Sequence, residues 1–285
     1  MADIRLIRRR IRGITSIAKI TRAMEMIAAS RMRQVQERGL AGRPYSEKIT
    51  QVIASLAALS QVGEILHPLL ERRPVRKIAV VHITPDRGLC GGLVSNINRK
   101  TANFVLKQSE PVTLITVGRK GFDFMRRYGR DIRAEFTRLG DKPSLIDTLP
   151  ISRIIIDDFC SRLVDIVYLV YTQFVSTMVQ KAVMEQILPV EPAPVPAVQN
   201  VDYIYEPAPS GVLDGLLPRF VEMRLYHAIL ESIASEQSAR MVAMRNATEN
   251  ANELTSDLTL MYNKARQEAI TRDLLDITGG AVALA

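Results

Sequence analysis

From Phe220 onward, apolar and small residues recur alternately three and four positions apart. They are Met223, His227, Leu230, Ala234, Gln237, Met241, Met244, Thr248, Ala251, Thr255, Leu258, Tyr262, Ala265 and Ala269. Such a heptad seam predicts a coiled coil. No glycine or proline interrupts the chain from Arg219 to Thr278. A helix over that stretch is roughly 90 Å long at about 1.5 Å per residue. A compact globule of this chain length has a radius of gyration of only about 19 Å. The helix must therefore leave its own domain, and it needs a partner strand. The seam is also dilute. His227, Gln237, Thr248 and Thr255 stand where leucine would bury more area, at about 25 cal/mol per Å². Small and polar residues there let helices approach closely or keep a face compatible with water. A helix that is merely long, within a helical bundle, is the plainer reading of the same pattern.

The start of the chain offers the partner. Residues 3–38 contain one glycine, Gly13, and no proline, and Asp3 suits the helix N-cap. Ile4, Ile7, Ile11, Ile14 and Ala18 step by three and four, after which the apolar positions drift to Ile17, Ile20, Met24 and Ile27. The drift predicts a change of supercoil within a continuing helix. Gly39, Gly42 and Pro44 predict an interruption or bend. Ile49, Val52, Ile53, Leu56 and Leu59 then resume a helical stripe to about Ser60.

Charge strengthens the pairing. The chain carries 38 Lys+Arg against 30 Asp+Glu, a formal +8, and residues 1–50 alone hold 12 basic and 4 acidic side chains. Residues 212–285 hold 7 basic and 10 acidic ones. A basic first helix beside a mildly acidic last one is favourable, though each exposed pair contributes little. The remaining positive charge must face nucleic acid or an acidic protein surface.

Composition narrows the classes. With 285 residues and 47% apolar content the chain can hold one or two domains. No apolar run is long enough to span a bilayer. The arginines Arg5, Arg8, Arg9, Arg10 and Arg12 are not followed by a signal-peptide core, and the isoleucine heptads favour a structural helix over a transit peptide. Two cysteines, Cys90 and Cys160, without secretory features predict reduced thiols in a cytosolic setting. With tryptophan absent and aromatics at 5%, single-stranded nucleic acid would find few stacking platforms.

In the middle of the chain, β-branched runs appear at Lys77–Thr84, Val112–Val117 and Leu163–Gln173. Helical stretches lie at Leu93–Lys107, Lys120–Tyr128 and Ser144–Arg162. The alternation predicts a central Rossmann-like α/β domain with a mostly parallel sheet covered on both faces. A proline-rich connection follows over 185–211, with one short strand at Val201–Tyr205. The loop Asp86-Arg87-Gly88-Leu89-Cys90-Gly91-Gly92 sits between the first strand and a helix, where backbone amides can hold phosphate. It has neither the Rossmann glycine spacing nor the Gly-Lys-Ser/Thr of a P-loop. A tight strand-to-helix turn is the simpler use of its glycines. Cys90 has no histidine nearby in sequence, and His67, His82 and His227 lack metal-ligand spacing. No catalytic residue, cofactor or metal is predicted.

Several segments resemble one family in order along the whole chain. Ile20-Thr21-Arg22-Ala23-Met24-Glu25-Met26-Ile27-Ala28-Ala29-Ser30-Arg31-Met32 and Arg43-Pro44-Tyr45 resemble the N-terminal helix of gamma subunits of F-type ATP synthases. Thr84 to Leu93 resembles that family's central turn. Ser235 to Met244, Tyr262 to Gln267, and Ile270-Thr271-Arg272-Asp273 with Asp276, Gly280 and Ala281 resemble its C-terminal signature. Asp273 stands where the family usually has glutamate. The cysteine pair inserted in the plant-chloroplast form is missing, so thiol regulation of that kind is not expected and a bacterial source is.

The resemblance implies a long antiparallel two-helix coiled coil of residues 1–60 and 212–285, with an α/β domain at 74–206. It implies a central rotor shaft that couples proton flow to ATP synthesis or hydrolysis and performs no bond chemistry itself. The implied partners are alpha and beta subunits, the epsilon subunit and the membrane c-ring, not nucleic acid. The implied location is the cytoplasmic face of a bacterial plasma membrane, peripheral through the complex. Arg240, Arg266, Gln267 and Thr271 match positions that contact beta loops. Arg22 and Met24 match positions opposite an acidic beta lever. For each, a solvated helix face or coiled-coil packing is the alternative. The small apolar tail Ile277 to Ala285 is expected either in an apolar collar or frayed.

Overall fold

The computed structural model describes residues 2–60, 67–191 and 209–283. In order these are α1 (Ala2–Ser60), a 3-10 turn (Pro68–Leu70), β1 (Ile78–Ile83), α2 (Leu93–Lys107), β2 (Val112–Val117) and α3 (Arg119–Arg127). There follow β3 (Ile132–Phe136), α4 (Leu145–Cys160), β4 (Ile166–Phe174), β5 (Gln180–Leu188) and α5 (Pro209–Ala283). Contacts divide them into two compact units, one of residues 29–239 and one formed by 1–28 with 240–285. The strand expected at Val201–Tyr205 lies outside the described residues.

The unit 29–239 is built on a five-stranded sheet of order β3-β2-β1-β4-β5. The pairs β1–β2, β1–β4 and β2–β3 are parallel and β4–β5 is antiparallel. Successive side chains of a strand point to opposite faces, and here both faces are covered. Ala79, Val81 and Ile83 join Ile151, Ile155 and Phe159 of α4 and Leu213, Leu217 and Val221 of α5 in the larger core. Ile78 and Val80 join Ile97 of α2 and Met125 of α3 on the other face. This two-sided burial explains why β1 is an unbroken apolar run with one polar exception, His82.

His82 is held by α2. Its Nε2 lies 2.8 Å from Asn98 Oδ1, and its Nδ1 lies 2.9 Å from the Thr101 hydroxyl. Burial lowers its pKa to about 4, despite the opposing bond to Asn98, so it is neutral. Two glycines let α3 approach the end of β1. A Cβ on Gly118, whose φ is 98°, would stand 1.9 Å from the Thr84 carbonyl oxygen, and one on Gly121 would stand 2.6 Å from the His82 ring.

At the opposite end of the sheet, Arg73 forms a buried clamp. It donates to the carbonyls of Phe159 (2.7 Å) and Val164 (2.6 Å) and pairs with Asp165 at 2.9 Å. Its guanidinium also lies over the Phe159 ring. Asp165 in turn accepts from the backbone N–H groups of Arg76 and Lys77.

Several expectations need correction. α1 runs as one helix through Pro44 rather than being interrupted there. Asp3 lies inside its first turn, not before it. The side chains of Leu56 and Leu59 fall outside the described ones, while Ile49 and Ile53 join the larger core. Strands β3 and β5 were not expected, and both are sheet edges. β3 alternates half-buried and exposed residues over only five positions. β5 mixes Gln180, Lys181, Glu185 and Gln186 among its apolar residues.

Candidate partner interface

The unit of residues 1–28 and 240–285 is a helix pair. Thr21 Oγ1 lies 2.6 Å from Thr248 Oγ1, and Arg245 Nε donates to Glu25 Oε1 at 2.9 Å. One helix number rises while the other falls, so the pair is antiparallel. Carried outward at heptad spacing, this register sets Ala18 level with Ala251, Ile14 with Thr255, Ile11 with Leu258, Ile7 with Tyr262 and Ile4 with Ala265. Each of these ten positions is buried or half-buried. From 252 to 278, only Thr255, Leu258, Tyr262, Ala265 and Ala269 are not exposed. The C-terminal seam is the predicted one.

The drift in the N-terminal seam is not found. The buried line continues through Ala18, Thr21 and Ala28, which are 8%, 8% and 1% exposed, whereas Ile17, Ile20 and Ile27 are 53%, 59% and 51% exposed. The heptad stays in register, and these isoleucines form a separate outward line. Around this point the seam carries the small side chains of Ala18, Ala28 and Ala251, and Thr21 and Thr248 satisfy each other's hydroxyls there. Thr248 also donates to the Met244 carbonyl at 2.8 Å, as intrahelical threonines do.

The six expected contact residues fall into three places. Arg22 is exposed and lines a groove of about 250 Å³ with Glu25, Met26, Arg245, Thr248, Glu249 and Asn252. Met24, on the same helix, is half-buried. Arg240 is 9% exposed and engaged in a polar interaction. Arg266, Gln267 and Thr271 are all exposed and lie off the seam. Gln267 and Thr271, four apart, share a helix face. At about 1.5 Å per residue, Arg240 and Arg266 are roughly 39 Å apart along α5. The six therefore mark separate stations on one helix pair, not one pocket. Residue patterning missed the outward apolar line, because apolarity alone does not tell a seam from a face awaiting another protein.

The titratable groups elsewhere serve packing. His67 accepts from the Leu69 N–H through Nδ1 at 3.1 Å and faces Asp214. Burial lowers the pKa of His227. The Tyr171 hydroxyl donates to Glu185 at 3.0 Å, and Glu185 also pairs with Arg224. Glu231 nearby is pushed up by burial and by the charge of Glu185. Cys90 is buried and Cys160 exposed. Among the described residues no group of three or more His, Cys, Asp or Glu is placed to hold a metal ion. No described helix is long and apolar enough to cross a membrane.

The family model described as ATP synthase matches residues 3–284. The chain is 70% identical over 285 residues to the ATP synthase gamma chain of Dehalococcoides mccartyi strain 195, covering all of both chains. It is 50% identical over 289 residues to the gamma chain of Roseiflexus castenholzii, covering all of this chain and 99% of the other. Among solved structures, a chain of the Euglena gracilis mitochondrial ATP synthase (OSCP/F1/c-ring) aligns with a TM-score of 0.69 at 19% identity, covering 99% of this chain and 95% of that one. A chain of the Tetrahymena thermophila central stalk/c-ring structure aligns with a TM-score of 0.62 at 23% identity, covering 80% and 99%. At those identities the structures speak to the fold alone.

Proposed function

This chain belongs to the ATP synthase gamma-chain family, and on that premise we propose that it is the central rotor shaft of a bacterial F-type ATP synthase. In this reading residues 1–60 and 212–285 form the shaft and 74–206 an α/β domain. The alpha and beta subunits surround the shaft, and the epsilon subunit and c-ring meet the α/β domain. The chain itself makes and breaks no bonds. It associates peripherally with the cytoplasmic face of the membrane through the complex.

The observation that carries the reading is the apolar outside of the helix pair. Ile17, Ile20 and Ile27 on α1, with Leu260, Met261, Leu274 and Leu275 on α5, are more than half exposed. Large apolar side chains recurring along an exposed helix face mark a surface for a partner. Rotation can change the affinities of surrounding nucleotide sites only if the shaft contacts each site differently. Its two faces offer that asymmetry, since α1 is strongly basic and α5 mildly acidic. Arg22 and Met24 would meet the beta lever segment, and Arg240, Arg266, Gln267 and Thr271 the beta loops. A free-standing scaffold would leave the match over residues 3–284 unexplained.

Cys160 supplies the test, being exposed while Cys90 is buried. A rod-shaped probe on Cys160 of the immobilised complex, with competing thiols removed from the other subunits, is expected to turn in one direction under ATP, pausing every third of a turn. A probe that stays still while ATP is hydrolysed would sink the rotor reading.

A further inference from the structure

Strand β4 is parallel to β1, so the turn joining it to β5 lies at the carboxyl end of the sheet. α5 reaches the same end. Its Ser232 hydroxyl accepts the Thr172 N–H at 3.3 Å, and its Ser235 hydroxyl donates to the Thr172 carbonyl at 3.0 Å. From there α5 leaves the unit 29–239, and Arg240 is the next residue. Over β1, β2 and β3 this end is a charged cleft, lined by Asp86, Arg87, Arg119, Asp123, Arg126 and Arg138 among others. The turn between β4 and β5 is its opposite in character. It reads Val175-Ser176-Thr177-Met178-Val179, without a charge.

Reversals that face water are usually built from glycine, asparagine, aspartate or proline. This one has none of them, and Val175, Met178 and Val179 are 57%, 73% and 53% exposed. The other exposed large apolar side chains described in residues 29–239 stand singly along the sequence. Single ones are ordinary on a soluble surface; three on one projecting turn mark a contact.

The turn is also held in one shape. The Val179 N–H donates to the Ser176 carbonyl at 3.2 Å, and the Ser176 N–H to the Val179 carbonyl at 3.0 Å. The Thr177 carbonyl accepts from the Gln180 amide at 2.9 Å and from the Ser238 hydroxyl of α5 at 2.8 Å. At the root of the hairpin, Phe174 packs with Val35, Leu230 and Ala234. The polar backbone groups of the turn are thus taken up by its own strand and by α5, and its apolar side chains are what it presents. A projection fixed in advance loses little conformational freedom on binding, and methionine adapts to an uneven apolar partner.

We propose that this turn is a docking knob for an apolar surface of a beta subunit, a contact made by the α/β unit in addition to those of the helix pair. The partner follows from continuity. Ser238, which pins the turn, lies about 3 Å along α5 from Arg240, where contact with beta loops is expected. The partner's identity rests on the rotor reading.

Photo-crosslinking tests it. The full chain carrying Cys160→Ser and Met178→Cys is labelled with a benzophenone maleimide, assembled with alpha, beta and epsilon subunits, irradiated and read by mass spectrometry. Cross-links to beta are expected several-fold above those from a probe on Ile146→Cys, an α4 site that is 74% exposed. Cross-links to epsilon alone, or to beta no more often than from residue 146, overturn the proposal. A second measurement uses Val175→Ser, Met178→Ser and Val179→Ser together. All three side chains are exposed, so the melting temperature of the chain should hold. The chain concentration that half-restores ATPase activity to separated alpha and beta subunits should rise about tenfold. An unchanged half-saturation point overturns the knob. A wild-type chain that joins no alpha–beta assembly at all would instead sink the rotor reading, and the beta assignment with it.

Discussion

The α/β unit and the helix pair fill their interiors differently. In the unit 29–239 the largest fully enclosed side chains are Phe159, Ile97, Leu114, Ile115, Met125 and Ile155. In the unit 1–28 with 240–285 the buried positions are Ala18, Thr21, Ala28, Arg240, Met244, Thr248 and Ala251, while Ile17, Ile20, Leu260, Leu274 and Leu275 face outward. One unit carries its own core. The other leaves much of its apolar surface to be covered by something else, as a shaft enclosed by other subunits requires. Stability in the first should hinge on packing and buried polar clamps; in the second, single seam residues should matter less to folding than outward residues do to coupling.

The sharpest challenge to that contrast is Gly118→Ala. A methyl group 1.9 Å from the Thr84 carbonyl oxygen, at a φ of 98°, cannot be relieved by a side-chain rotation. It is expected to cost about 4 kcal/mol or more, seen as loss of soluble, cooperatively melting protein. Arg73→Ala comes next. It leaves Asp165, whose side chain is 10% exposed, without its charged partner and orphans two carbonyls, at a cost of about 3 kcal/mol in urea unfolding.

His82 gives the third. Its folded pKa of about 4 lies below the ordinary value of 6.5, so the unfolded chain takes up the proton first. The stability due to the neutral imidazole is complete above about pH 6.5 and is lost as pH falls toward about 4, by at most ~3 kcal/mol. Urea midpoints for wild type and His82→Gln across pH 7 to 4.5 should converge as pH falls. Parallel curves would contradict the linkage.

The helix pair should respond more weakly. Replacing both Thr21 and Thr248 by valine removes donor and acceptor together and should change stability by under ~1 kcal/mol, less than the sum of the single changes, in a double-mutant cycle of thermal melts. Smallest of all on folding is Met24→Lys, expected to stay within about 0.5 kcal/mol. It adds a cation where the proposed beta lever is acidic, so protons pumped per ATP should fall. Unchanged pumping would remove the assignment of Met24 as a contact.

The same contrast explains what could be read in advance. β1, β2 and β4 are buried on both faces, so their apolar runs stand out, and α2 was legible to the residue at Leu93–Lys107. β3 and β5 are edges whose half-exposed alternation includes Arg133, Glu135, Lys181 and Glu185, which weakens any run. Pro44 signals an interruption or bend, and the helix is not interrupted there. The 255–269 seam was visible because its neighbours are polar. The N-terminal seam was misread after Ala18, where the outward isoleucines are more apolar than Thr21 and Ala28 inside. Arg266, Gln267 and Thr271 are proposed from the family motif, and nothing in residue spacing alone singles them out. The glycines of loop 86–92 were read as serving a tight strand-to-helix turn; the cleft beside it is lined by Asp86 and by arginines from three separate segments, which only the fold assembles.

The register of the helix pair also has a mechanical consequence. Ala265, Tyr262, Leu258, Thr255 and Ala251 are level with Ile4, Ile7, Ile11, Ile14 and Ala18, and all ten are buried or half-buried. Two helices clamped side by side resist bending and torsion far better than one, so the length over which these residues face one another is the stiff part of the helix pair.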